Sequence, residues 1–185
     1  SVLFLTTLIG AGQGLFIAMF AVELLAAHAV TTNFFVGGSA LVLVLSGLGL
    51  IASFFHLGHP ERAWRTATMW RTSWLSREVI ALPAFMAGVF AYALAHWGNL
   101  GHTTALGFIG TVLAITLFVC TAMVYAAIKV LREWSHPLTL VNFTLLGLAS
   151  GFCLAAAYAG FVAPAVATPL AQAAFSLTAL SLLMR

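Results

Sequence analysis

The charge of this chain is concentrated in residues 55–78, which read FHLGHPERAWRTATMWRTSWLSRE. Four of the seven Lys and Arg residues and two of the four acidic residues lie in this segment. The flanking runs, residues 24–60 and 79–128, contain no Lys, Arg, Asp or Glu. Each is long enough to cross a bilayer, because a spanning helix needs about 20 apolar residues. The pattern indicates a charged loop between two transmembrane helices.

The overall composition indicates an integral membrane protein. It is 63% hydrophobic and 6% charged, with a mean hydropathy of +1.11, whereas soluble domains carry about 25% charged residues. The apolar runs are continuous, so they do not resemble the alternating segments of a β-barrel. We therefore predict an all-α fold, a polytopic transmembrane helical bundle, with residues 1–185 as a single transmembrane domain. The net charge of +3 comes from loop arginines and does not indicate nucleic-acid binding.

Six helices are predicted from the apolar runs. The second follows the polar turn Thr31-Thr32-Asn33, the third starts after Ser76, and the fifth has Pro137 near its first turn, where proline is tolerated. The sixth begins near Pro169. The other predicted bounds are residues 3–27, 36–57, 77–97, 104–131 and 138–163.

The basic residues predict an orientation. Six helices place the start of the chain, the 58–77 loop, the 132–137 connection and residue 185 on one side, which we call the basic face. The connections on the other side, which we call the opposite face, contain no Lys or Arg. The positive-inside rule then puts the basic face in the cytoplasm. All seven basic residues fall on or near this face: Arg62, Arg65, Arg71, Arg77, Lys129, Arg132 and Arg185.

Two residues at the basic face suit proton exchange with an apolar ligand. His56 ends the second helix and Glu78 lies near the start of the third, so the helix ends can approach each other. Reduction of a quinone takes two electrons and two protons, which a His and a carboxylate can relay. The simpler alternative is that His56 caps its helix and that Glu78 pairs with Arg77 or the helix dipole.

The loop residues are candidates for docking a partner. Arg62 and Arg65 are three residues apart, so in a short helix they would share a face and could hold an acidic partner or anionic lipid. Ordinary interfacial snorkelling is the alternative. The Trp residues suit an aromatic belt more than a stacking site. The docking candidates are Arg62, Trp64, Arg65, Arg71 and Trp74.

Several polar residues within the helices have two interpretations. Gln13 lies among small residues in the first helix, where close helix packing is favoured and a ligand contact is the alternative. Tyr125 and Asn142 could close a pocket at the basic face, or serve as an interfacial aromatic and a helix-packing residue. Glu23 and His28 could form a proton path from the opposite face, or simply face water.

Other chemistry is less well supported by the sequence. Cys120 and Cys153 lie within apolar runs at no metal-like spacing, so no metal site is predicted. A haem b needs axial His from facing helices, and no spacing demands one. A transporter would carry charged or broken-helix sites near the midplane, where polar groups are few here. The histidines divide between the basic face (His56, His59, His136) and the opposite face (His28, His96, His102).

Three stretches resemble the membrane anchor subunit of dimethyl sulfoxide reductase-type molybdoenzyme complexes. The first is Gly12-Gln13, and the third is CTAMVY at 120–125 followed by WSHP at 134–137. The second and most specific is IASFFHLGHPERA at 51–63 followed by WLSRE at 74–78. That family usually has eight helices, so about two would follow Arg185 in the complete protein.

The resemblance implies a bacterial inner-membrane subunit that anchors an iron–sulfur subunit and a molybdopterin catalytic subunit. Such an anchor passes electrons between the quinone pool, ubiquinone or menaquinone, and the nearest [4Fe–4S] cluster, and the molybdenum chemistry occurs on the partner. The quinone-site His of the family matches His56, its acidic residue matches Glu78 and its motif arginine matches Arg62. Tyr125 and Gln13 are weaker candidates for the same site. The best-known members lack haem, so haem b is the less favoured alternative.

The predicted orientation indicates which members of this family the chain resembles more. Dimethyl sulfoxide reductase itself places its catalytic subunits outside the cytoplasm, whereas the basic residues here put the motif loop inside. Together with LTTLIG at 5–10, this is more similar to the anchor of a cytoplasm-facing, sulfite-oxidising relative. Electrons would then run from sulfite at molybdenum, through the clusters, to quinone.

Overall fold

The computed structural model describes residues 2–54, 68–127 and 137–184. These residues form long helices, and no strand occurs among them. All six helices are long and apolar enough to span a membrane, which confirms the predicted all-α transmembrane bundle. In chain order they are α1 (Val2–Ala26), α2 (Thr32–Phe54), α3 (Trp74–Trp97), α4 (Thr103–Ala126), α5 (Pro137–Val162) and α6 (Pro164–Leu183).

Two predicted helix starts are wrong by a few residues. Helix α2 begins at Thr32, so Thr32 and Asn33 form its first turn instead of the loop before it. Helix α3 begins at Trp74 and not after Ser76. Its N-cap is Ser73, whose side chain accepts a hydrogen bond from the Ser76 backbone N–H at 3.4 Å. Polar residues of this kind mark helix starts, but which of several neighbours is the cap depends on the path of the incoming chain.

The predicted start of the last helix is also wrong. Helix α6 begins at Pro164, so Ala163 alone separates it from α5, and Pro169 lies inside the helix. Pro164 occupies the first turn, where its missing N–H costs nothing. A second proline inside a transmembrane helix is tolerated because neighbouring groups can compensate for the lost hydrogen bond. The two helices therefore form a tight hairpin at the opposite face.

Helix α1 is the centre of the bundle. It packs against α2, α4 and α5, while α3 packs against α2 and α4, and α6 packs mainly on α5. The contact between α1 and α5 is close because glycines meet there. A Cβ at Gly14 would lie 2.5 Å from the Gly147 carbonyl oxygen and 3.0 Å from the Gly151 Cα. The structure thus agrees with the packing role predicted for the small residues around Gln13.

The bundle buries its core around α1 and exposes apolar side chains outward. Phe16 on α1, Phe85 on α3 and Phe118 on α4 are fully buried. Phe161 and Phe175 are among the large apolar residues that remain exposed. In a transmembrane bundle such residues face lipid, whose chains are as apolar as the protein core.

Candidate functional site

A buried carboxyl group lies at the basic-face end of α3. Glu78 is the fifth residue of the helix and only 8% of it is exposed. The hydroxyl of Thr121, on the neighbouring helix α4, donates a hydrogen bond of 2.8 Å to Glu78 Oε1. A carboxyl in such a position is costly unless it is hydrogen-bonded, and intramembrane carboxyls are usually functional.

Helix α4 brings a second polar residue to the same end. Thr121 and Tyr125 are four residues apart, so they share one face of the helix. The side chain of Tyr125 forms a hydrogen bond with that of Thr6 on α1, and its hydroxyl lies within electrostatic reach of Glu78. These four residues, Thr6, Glu78, Thr121 and Tyr125, are called the Glu78 cluster below. The predicted candidates Glu78 and Tyr125 therefore lie near each other.

Arg77 does not neutralise Glu78, so the predicted alternative of an Arg77–Glu78 pair is wrong. The Arg77 guanidinium donates instead to the backbone carbonyls of Trp70 and Arg71, at 3.0 and 3.1 Å. It also lies over the Trp74 ring, with its Cζ 4.1 Å from the ring centroid. Arg77 thus fixes the turn that leads into α3. Glu78 also lies beyond the first helical turn, where the helix dipole acts most strongly.

The Trp and Arg residues of this turn are paired. Arg71 lies over the ring of Trp70, with its Cζ 5.3 Å from the centroid. Trp70 is 52% exposed, as a residue at the membrane–water interface can be. Arg71 and Trp74, two of the predicted docking residues, therefore lie in one turn before and at the start of α3, where both contact Arg77. The other three, Arg62, Trp64 and Arg65, lie outside the described residues.

Gln13 lies deeper in the bundle than the Glu78 cluster. It is two helical turns from Thr6 on the same side of α1, which corresponds to about 10 Å along the axis. It is 1% exposed, and its Nε2 has no hydrogen-bond partner among the described residues. A buried amide donor without a partner is unusual in a protein interior. No described residue therefore uses this donor.

Asn142 joins two helices, which is the helix-packing role predicted as the alternative to closing a pocket. Its Nδ2 donates to the Met184 carbonyl at 3.3 Å, which ties α5 to the C-terminal end of α6. The neighbouring Phe143 contacts Tyr125, with ring centroids 6.1 Å apart. The principal quinone candidate His56 lies outside the described residues, as does Arg62, so their predicted roles stay predictions.

A second group of polar side chains lies at the opposite face, and most of it was missed in the sequence. Glu23 on α1 accepts hydrogen bonds from Tyr92 and Thr104, and it lies beside His96. It neither pairs with His28 nor faces water. Both Glu23 and His96 lie within four residues of a helix end at the same face. Their similar distance from helix ends at one face is the sequence feature that could have predicted the pair.

The sequence profile of the DMSO reductase anchor subunit (DmsC) family matches residues 1–184. The chain belongs to the DMSO reductase anchor subunit family. This membership confirms the resemblance seen in the sequence. It also places the Glu78 cluster and Gln13 in a membrane anchor subunit.

Two relatives with known names differ in how similar they are to this chain. The chain is 54% identical over 179 residues to a sulfite dehydrogenase subunit of Allochromatium vinosum, covering 88% of this chain and 55% of the relative. It is 33% identical over 126 residues to the anaerobic dimethyl sulfoxide reductase chain YnfH of Escherichia coli, covering 66% of this chain and 44% of the relative. The chain thus spans about half the length of these relatives. No solved structure matches it.

Proposed function

We propose that this chain is the membrane anchor and quinone-reactive subunit of a molybdopterin and iron–sulfur oxidoreductase complex. It holds an iron–sulfur subunit and a molybdopterin subunit at its basic face, and it passes electrons between a [4Fe–4S] cluster of the partner and the quinone pool. Membership of the anchor subunit family supports the anchoring role. The quinone role depends on the polar groups at the basic-face end of the bundle.

The buried carboxyl of Glu78 is the main observation that supports this proposal. Its carboxyl is buried and accepts a hydrogen bond from the neutral hydroxyl of Thr121. The guanidinium of the adjacent Arg77 donates its hydrogen bonds to backbone carbonyls of the loop instead. Among the described residues Glu78 has no cationic partner, and a carboxyl held only by a neutral donor can bind and release a proton at a low cost in charge separation. It lies at the membrane end where a cluster would dock. Electrons therefore do not need to cross the bilayer.

The neighbouring side chains suit a quinone head group. A quinone ring needs hydrogen-bond donors at its two carbonyl oxygens. Gln13 offers a buried Nε2 donor without a partner among the described residues, and Tyr125 offers a hydroxyl near Glu78. His56 donates to one quinone oxygen in this proposal and supplies or accepts its proton. Glu78 exchanges that proton with water at the loop.

Sulfite is the substrate class that we propose for the catalytic partner. The chain is 54% identical to a protein named as part of a sulfite dehydrogenase, well above its identity to the dimethyl sulfoxide reductase chain. Oxidation of sulfite with water gives sulfate, two protons and two electrons. The two electrons reduce one quinone, which takes up two protons. The basic residues favour partner subunits on the cytoplasmic side.

A pair of matched variants tests the quinone role. Glu78→Gln and Glu23→Gln make the same chemical change at opposite ends of the bundle. In the purified complex, Glu78→Gln should lower sulfite-dependent quinone reduction by roughly a hundredfold, a usual loss for a proton-transfer group. It should leave sulfite oxidation with a soluble dye nearly unchanged, and Glu23→Gln should leave both rates unchanged. Equal loss of both rates in Glu78→Gln would show that the residue serves assembly instead.

A further inference from the structure

A second buried acidic group lies at the opposite end of the bundle, outside the proposed quinone site. Tyr92 on α3 donates a hydrogen bond of 2.6 Å to Glu23 Oε2. Thr104 on α4 donates one of 3.4 Å to Oε1. His96 Nε2 lies 3.7 Å from Oε2. Glu23, Tyr92, His96 and Thr104 are called the Glu23 cluster below.

The Glu23 cluster is enclosed by the helices that form it. The Glu23 side chain is 7% exposed and that of His96 is 10% exposed, while Tyr92 is fully buried. The imidazole of His96 stacks on Phe35 of α2, with ring centroids 4.3 Å apart. Its Nε2 is buried and has no hydrogen-bond partner in the described part of the chain. The imidazole is thus positioned beside the carboxylate, separated by a gap slightly longer than a hydrogen bond.

Among the described residues, no Lys or Arg lies beside Glu23. The described Arg residues, Arg71 and Arg77, lie at the start of α3, whereas His96 lies at its other end. The other described His and Tyr residues near the opposite face are His28 after α1, His102 before α4 and Tyr158 on α5, which stacks on Phe34 of α2. A buried carboxylate without a counter-charge is costly in lipid. A proton, on Glu23 or on His96, is the group that can neutralise it.

The buried face of α3 between the Glu23 cluster and the Glu78 cluster is apolar. The buried residues of α3 between Glu78 and Tyr92 are Ala81, Leu82, Phe85 and Val89. Phe16 of α1 packs edge-on against both Phe85 and Tyr92, with ring centroids 5.8 and 5.2 Å apart. Glu78 and Tyr92 are about 21 Å apart along the helix axis. No buried polar group of α3 bridges this distance.

We propose that Glu23 and His96 form a proton-binding site that shares one proton and exchanges it with water at the opposite face. The bound proton comes from that aqueous phase and returns to it. It resides on the carboxyl or the imidazole, and its binding changes the charge of the pair by one unit. The hydroxyl groups of Tyr92 and Thr104 hold the carboxyl in place in both states. The site therefore follows the pH of the opposite face and is separate from the quinone end.

Infrared difference spectroscopy tests this site directly. The whole complex is placed in proteoliposomes of one orientation, and the pH is stepped on one side at a time over roughly pH 5 to 9. A step at the opposite face should change a carboxyl C=O band or an imidazolium band. Glu23→Gln should remove that change, while Glu78→Gln should leave it intact. Tyr92→Phe should keep the band and shift its frequency, because the carboxyl loses its donor.

Two results would overturn the proposal. One is the absence of any Glu23-dependent band across the pH range, which would mean that the pair holds a fixed charge state. The other is an equal response of the band to pH steps at the basic face. Thermal melting and the amounts of the bound partner subunits check that each variant complex is folded and assembled. Because the readout is spectroscopic, it is independent of whether the quinone proposal holds.

Discussion

The hydroxyl of Thr121 on α4 donates to Glu78 on α3 at 2.8 Å, so a neutral group on one helix holds a buried carboxyl on the next. This contact joins two segments that are widely separated in the sequence. It also explains why Arg77 is free to bind the loop that leads into α3. The behaviour of the carboxyl should therefore depend on Thr121 and not on the adjacent arginine.

Removal of this hydroxyl should weaken quinone turnover by less than removal of the carboxyl. Thr121→Val loses a hydrogen bond worth about 1 kcal/mol, so quinone-linked activity should fall several-fold while dye-linked activity stays nearly constant. Thr111→Val is a matched control, because Thr111 is on the same helix and its hydroxyl has no partner among the described residues. The ratio of the two activities in each variant is the measurement. Equal ratios in the two variants would contradict the role given to Thr121.

His56 should be essential for quinone chemistry if it binds the ring. His56→Ala should abolish electron exchange with quinone and leave activity with a soluble dye nearly intact, because the molybdenum and cluster chemistry is on partner subunits. His102→Ala, which removes an exposed histidine at the opposite face, should change neither rate. If dye-linked activity falls in parallel with quinone-linked activity, His56 supports assembly instead.

The helical fold could be predicted from the sequence because it depends on one simple physical requirement. Backbone polar groups in lipid must be satisfied within each segment, so long uncharged runs become helices. The helix starts at Thr32, Trp74 and Pro164 were less predictable. Several suitable cap residues lie near Thr32 and Trp74, and the turn geometry selects among them. At the last helix, Pro164 and Pro169 both suit a first helical turn.

The candidate site could be predicted only in part. Glu78 and Tyr125 were recognisable as polar residues at helix ends of the same face. Their contacts with Thr121 and Thr6 depend on how the helices rotate about their axes, and a uniformly apolar helix gives little indication of that rotation. The Glu23–His96 pair was missed for the same reason. Periodicity does not reveal which side chains meet across a bundle whose outer face is also apolar.

The basic face should dock the soluble subunits. Arg62 and Arg65 lie outside the described residues, but Arg71 and Trp74 both contact Arg77 in the turn that leads into α3. Arg and Trp are enriched at interface centres. Replacing Arg62 and Arg65 together with Gln should release the soluble subunits from the membrane, as measured by their share in the membrane fraction. The amount of anchor in the membrane should stay constant, and retention of a fully active complex would contradict docking at these residues.

The orientation can be measured by cysteine labelling in intact cells. Asn99→Cys places a thiol in the exposed turn between α3 and α4, and Met69→Cys places one in the exposed turn before α3. A maleimide that does not cross membranes should label Asn99→Cys from outside and should label Met69→Cys only after the cells are broken. The unsubstituted chain is the control, because it already contains Cys120 and Cys153. The reverse pattern would place the partner subunits outside the cytoplasm.

The close contact of α1 with α5 should tolerate no side chain at Gly14. A Cβ there would lie 2.5 Å from the Gly147 carbonyl oxygen, 3.0 Å from the Gly151 Cα and 3.1 Å from the Leu148 Cα, all of them backbone atoms that cannot rotate away. Gly14→Ala should therefore force the helices apart and destabilise the chain by about 1–3 kcal/mol. Gly47→Ala and Gly160→Ala are matched controls, since nothing lies within 4 Å of a Cβ at either position. Alanine stabilises a helix relative to glycine by about 0.5–1 kcal/mol, so the controls should melt at or above the wild-type temperature in mild detergent. Melting of Gly14→Ala at the control temperature would show that α1 and α5 do not pack this closely in the membrane.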